Sequence, residues 1–134
     1  MIYLIDTHYV LWSLFEPEKI SKKVKGIFED QESEIMVSGI SLWEISLKYS
    51  LGKLDLVGTN PDEIQTKILE SGFDFANVEN SHFASYYKLP KKEDHKDPFD
   101  RMLIWQAIEN DYIFVTNDGK IEQYVENGLK VVLA

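Results

Sequence analysis

The chain has 134 residues, enough for one domain with a substantial core, and its hydrophobic and charged fractions of 44% and 28% are ordinary for a globular protein. A formal net charge of -9, from 23 acidic and 14 basic residues, argues against a nonspecific nucleic-acid-coating module, which binds by neutralising phosphate, but not against a nuclease whose acidic site recruits cations first. The absence of cysteine excludes disulfides and thiolate chemistry and fits a reducing cytoplasm. No apolar run is long enough to span a bilayer, and no basic leader precedes the first strand-like segment, so neither a membrane anchor nor a signal peptide is expected.

The chain opens with an apolar run, Ile2 to Ile5, read as a buried strand ending in Asp6-Thr7-His8. A short helix over Tyr9 to Phe15 follows, closed by Pro17. Ser21 caps a second helix through about Asp30, with Val24, Ile27 and Phe28 on one face. Ile35 to Ser38 is a second strand, Gly39 a turn, and Ser41 to Tyr49 a helix carrying Trp43 and Leu47 at i, i+4 spacing, with Gly52 suited to its C-terminal cap. Asn60-Pro61-Asp62-Glu63 is a helix start by its Asn cap, its Pro at the first position and its Glu three residues on. That helix stops at Gly72. Phe73 to Val78 reads as a third strand and Ser81 to Leu89 as a helix. The charged stretch from Pro90 to Lys96 reads as a loop. Pro98 starts a helix to Asn110 that buries Leu103, Ile104, Ala107 and Ile108. Tyr112 to Thr116 is a fourth strand ending in Asn117-Asp118-Gly119. A short helix over Ile121 to Glu126 and a last strand over Lys130 to Leu133 complete a single domain, 1–134.

Strands alternating with helices, with few hairpin signals, imply an α/β fold whose parallel sheet is covered on both faces. In such a sheet the strand ends share one edge, and ligands bind there where the strand order reverses. Asp6 and Asp118 both end strands. Each also reads, singly, as a cap or a turn residue. Asp97 suits the cap of the helix at Pro98, and Asp100 lies in that helix's first turn, where the dipole favours a carboxylate by ~0.3–1 kcal/mol. Glu44 interrupts a strongly apolar stretch and is either on a solvent face or at a polar site. Carboxylates gathered at one edge repel one another and stay ionised together only with a divalent cation. Hard oxygen donors suit Mg²⁺ or Mn²⁺. His8, His82 and His95 show no zinc spacing and read as ordinary surface or core histidines.

Four stretches in this order resemble the PIN-domain family, specifically VapC-type ribonuclease toxins of toxin–antitoxin pairs. They are Leu4-Ile5-Asp6-Thr7-His8; Ser41-Leu42-Trp43-Glu44-Ile45 with Leu51-Gly52-Lys53-Leu54; His95-Lys96-Asp97-Pro98-Phe99-Asp100-Arg101-Met102-Leu103-Ile104; and Val115-Thr116-Asn117-Asp118. The resemblance implies a three-layer α/β/α sandwich with strand order 3-2-1-4-5. It also implies a metal-binding acidic site of Asp6, Glu44, Asp100 and Asp118, with Asp97 accessory and Thr116 as an assisting hydroxyl. Asn117 departs from the family, in which a basic residue commonly precedes the last acid; Arg101 and Lys48 are the nearest candidates for phosphate contact, unless both pair with neighbouring acids. The activity implied is RNA phosphodiester hydrolysis through a metal-activated water with Mg²⁺ or Mn²⁺, by a cytoplasmic homodimer inhibited by a small antitoxin. Two other classes stay open: a catalytically silent PIN-like module that binds a partner, and, well behind, a phospho-acceptor domain, which wants paired acids early in the chain.

Overall fold

The computed structural model describes residues 1–134. Its five strands are β1 (Ile2–Ile5), β2 (Glu34–Ser38), β3 (Asp74–Ala76), β4 (Ile113–Thr116) and β5 (Lys130–Leu133). They form one wholly parallel sheet in the order β3-β2-β1-β4-β5. Chain order reverses beside β1, the central strand.

Side chains alternate across a strand, so a strand buried on both faces must be apolar at every position. β1 meets that demand. Tyr3 and Ile5 enter one core with Val37, Val115 and the helical residues Tyr9, Val10, Val24, Ile45, Ile64 and Ile68. Leu4 enters the other core with Phe114, Ala76 and Met102 to Ile104. The helices α1 (Thr7–Phe15), α2 (Lys22–Glu29), α3 (Gly39–Ser50) and α4 (Pro61–Glu70) supply the first layer. The other layer comes from α5 (Asn80–Ser85), α6 (Pro98–Asn110) and a 3₁₀ segment over Gly119–Asn127. The result is an α/β/α sandwich.

Local signals set the helix starts. Ser21 Oγ accepts from Val24 N–H, and Asn60 Oδ1 accepts from Glu63 N–H ahead of Pro61. Gly72, with φ +88°, takes the left-handed conformation that ends α4. Several expectations shift. Gly39 is not a turn but the first residue of α3, because Ser38 Oγ caps Ile40 N–H and starts the helix two residues earlier than anticipated. Trp43 is 59% exposed, and the buried positions of α3 are Ile40, Ser41, Glu44 and Ile45. The third strand shortens to Asp74–Ala76, and the helix after it gives way to a 3₁₀ turn at Tyr86–Lys88. The segment after Asp118 is 3₁₀ rather than α. α6 buries every residue from Arg101 to Ala107, so its surroundings are core on all sides and the one-face expectation was too narrow.

Candidate metal centre

The ladder of β1 and β4 continues one residue past β1, with Asp6 N–H donating to Val115 O at 3.1 Å. That bond sets the Asp6 side chain beside the end of β4. Thr116 Oγ1 donates to Asp6 Oδ2 at 2.8 Å, and Tyr9 N–H donates to Asp6 Oδ1 at 3.1 Å. Asp6 therefore caps α1 with one oxygen and reaches across the sheet with the other. It is 4% exposed, and burial raises its pKa against the lowering effect of these bonds.

Asp118 follows β4. Its backbone N–H donates to Thr116 Oγ1 at 3.1 Å, and its Oδ1 accepts from Lys120 N–H at 3.0 Å. Thr116 thus links Asp6 to the Asp118 turn. Glu44 arrives from the first turns of α3 and is 5% exposed, which rules out a solvent face. Its Oε1 accepts from Thr7 Oγ1 at 2.7 Å, and its Oε2 pairs with Lys48 Nζ one turn on. Lys48 remains partly exposed, and this pair raises its pKa.

Asp100 lies in the first turn of α6 and is the electrostatic focus. Burial and the neighbouring carboxylates of Asp97, Glu44, Asp6 and Asp118 push its carboxyl up to about 7. Four segments separated by 18 to 56 residues therefore meet at one sheet edge. Asp97 Oδ1 caps α6 by accepting from Phe99 N–H at 2.8 Å, and its charge adds to the repulsion on Asp100. Asn117 is exposed, pointing to no partner within the chain.

Two residues differ from the expectations. The Arg101 guanidinium is not available for phosphate: it is 7% exposed and donates to Tyr86 Oη, Tyr124 Oη and the carbonyls of Leu89 and Pro90 at 2.9–3.1 Å. A fork with its donors so engaged holds the 86–90 segment onto α6. His95, read as an ordinary histidine, instead lies at the site. Its Nε2 is 3.7 Å from Asp100 Oδ2, and ligand atoms of His95, Asp100 and Asp118 all lie within 4.8 Å of one another. Its proximity in sequence to Asp97 and Asp100 was the available signal; metal-ligand spacing was not.

The donor set fits a divalent cation. Several carboxylates share one pocket with too few protein cations, and Lys48 pairs with only one of them. Oxygen donors from Asp6, Asp100, Asp118 and Glu44 suit a hard ion of the Mg²⁺ or Mn²⁺ kind.

The sequence matches the family model of the PIN domain over residues 3–127, and the chain belongs to that family. Among solved structures it is similar to VapBC2 from Rickettsia felis bound to a DNA fragment from their promoter, with 18% identity, 99% of this chain and 98% of the other covered, and a TM-score of 0.72. It is similar also to VapBC-1 from nontypeable Haemophilus influenzae, at 18% identity, coverages of 99% and 98%, and a TM-score of 0.67. DNA-bound VapBC from Salmonella typhimurium matches at 17% identity, coverages of 98% and 97%, and a TM-score of 0.68. No curated protein matches the sequence. At these identities the structural likeness speaks for the fold.

Proposed function

We propose that the chain is a metal-dependent endoribonuclease, the toxin of a VapC-type toxin–antitoxin pair. The observation that carries this reading is the convergence of Asp6, Glu44, Asp100 and Asp118 from four segments, which pushes the Asp100 carboxyl up to about 7. Such repulsion costs stability in the metal-free chain and is relieved by a cation.

Asp6, Asp100, Asp118 and Glu44 would hold the ion. Thr116 orients Asp6, and Thr7 orients Glu44, so that both carboxylates are fixed before a ligand arrives. A bound Mg²⁺ or Mn²⁺ supplies positive charge for a phosphodiester and acidifies water for its hydrolysis. Lys48, partly exposed beside Glu44, is a cation near these acids that could meet a phosphate.

The named assemblies of the structural neighbours support a small antitoxin as partner. A basic segment of such a partner would complement the charge of -9. No helix is long and apolar enough to cross a membrane, and a chain without cysteine fits the reducing cytoplasm, where we place the complex alongside its RNA substrate.

The test is Asp6→Asn, which preserves side-chain shape while removing one charge. Mn²⁺-dependent cleavage of RNA is expected to disappear with an unchanged circular dichroism spectrum. Cleavage at the wild-type rate overturns the mechanism. A wild-type protein that binds a partner but cuts no RNA in Mn²⁺ or Mg²⁺ would make this a silent binding module.

A further inference from the structure

His95 sits in the turn before α6 and is 5% exposed, yet its Nε2 has no hydrogen-bond partner. A buried polar nitrogen without a partner calls for a physical reason. Asp100 Oδ2 lies 3.7 Å away, longer than a hydrogen bond, and a carboxylate oxygen of Asp118 lies within 4.8 Å of both residues. The other ring nitrogen is engaged: Nδ1 lies 2.8 Å from Tyr124 Oη.

The proton on that ring is assigned by accounting along the chain of bonds. Arg101 has donors only, so Tyr124 Oη accepts from Arg101 Nη1 at 2.9 Å. Tyr124 is fully buried, and its own hydroxyl hydrogen has one remaining partner, His95 Nδ1. Nδ1 is then an acceptor, and the neutral ring carries its hydrogen on Nε2. The edge-to-face contact of the His95 and Tyr124 rings, with centroids 5.3 Å apart and planes at 72°, restrains the imidazole in that orientation.

We propose that Arg101 and Tyr124 hold His95 with Nε2–H aimed at Asp100 Oδ2, which makes His95 a positioning residue for that carboxylate and not a metal ligand. This rests on the metal-site reading above. Carboxylates that bind metals are themselves commonly hydrogen-bonded by an outer partner, and such contacts are often long before the ligand arrives. One oxygen of Asp100 then faces His95 while the other is left for the cation. The guanidinium of Arg101 acts on Asp100 through Tyr124 and His95.

The experiment has two readouts. Long-range ¹H–¹⁵N spectra of the metal-free protein should show His95 as the Nε2–H tautomer, and should still do so with saturating Mg²⁺. Calorimetric titration with Mn²⁺ should find His95→Phe weaker by about tenfold or more, in the range of lost outer contacts to metal ligands. His95→Gln, whose amide N–H replaces Nε2–H, should stay within about threefold of wild type. Tyr124→Phe, away from the carboxylates, should turn His95 into a mixture of tautomers and lower Mn²⁺ affinity, and it carries the test if His95→Phe does not fold. An Nδ1–H tautomer, or an Nε2 that loses its proton on adding Mg²⁺, marks direct ligation and overturns the proposal. Equal Mn²⁺ affinity in wild type and the folded variants overturns it alone. A wild-type protein that binds no Mn²⁺ overturns the metal-site reading and this inference with it.

Discussion

Replacing Asp100 by Asn should stabilise the metal-free protein at alkaline pH, the reverse of what losing a native carboxylate usually does. The Asp100 carboxyl titrates at about 7 in the fold against an ordinary value of 3.8, a gap of about three pH units. Between those values the folded chain binds more protons than the unfolded one, so stability falls as pH rises from about 4 through about 7 and is flat above. At 1.36 kcal/mol per unit the full gap is worth ~4 kcal/mol. The side chain is 31% exposed, and the N-terminus of α6 favours the charge by ~0.3–1 kcal/mol, so roughly 2 kcal/mol is the working figure. Asp100→Asn never ionises. In EDTA its stability relative to wild type should be near zero at pH 3, below both values, and about 2 kcal/mol greater at pH 8. For a domain of this size that is a rise in Tm of roughly 6–8 °C. Thermal melts at the two pH values, with and without Mn²⁺, make the measurement. Saturating Mn²⁺ should reverse the order, since an ion at a hundred times its Kd stabilises the wild type by ~2.7 kcal/mol and the variant lacks a ligand. A variant less stable than wild type at pH 8 in EDTA, or a difference independent of pH, refutes the reasoning.

The other predictions concern the groups around that carboxyl. Thr116→Val keeps the shape but removes the hydroxyl that donates to Asp6 Oδ2; Mn²⁺ affinity by calorimetry should fall about tenfold with the fold retained. Arg101→Met should cost ~3 kcal/mol or more in urea unfolding, because two tyrosine hydroxyls and two carbonyls lose a charged donor. An unchanged unfolding midpoint would return Arg101 to the phosphate-contacting role read from its sequence position. Phe114→Ala removes a fully buried ring from the central sheet and should cost ~3–5 kcal/mol by the same measurement, with the acidic edge intact until unfolding.

Much of the fold was legible because its causes are local. The uninterrupted run at Ile2 to Ile5 demanded burial on both faces, and it lies at the centre of the sheet. Asn60-Pro61 carried its own cap and first turn, so α4 begins where expected. Gly39 misled because a glycine reads as a turn, whereas the serine before it completed the cap. Arg101 misled for a different reason. A charged residue one step after Asp100 reads as a surface cation, and nothing nearby in sequence announces that Tyr86, Tyr124, Leu89 and Pro90 converge on it.

The sequence by itself determined the strand and helix alternation, the parallel sheet, the acids at strand ends and helix starts, and the family they resemble. Hydrophobic period, caps and turn residues act within about four positions and mark the elements, and the order of those elements and motifs along the chain supplies the sheet and the resemblance. Only the tertiary structure decided what those acids meet. Thr116 reaches Asp6 across 110 positions in the chain, Thr7 reaches Glu44 across 37, and His95 is turned toward Asp100 by a tyrosine 29 residues on. Burial and the charges of distant segments set the ionisation of Asp100. Those are properties of distances in space, which packing of the two cores against one sheet establishes and no local pattern encodes.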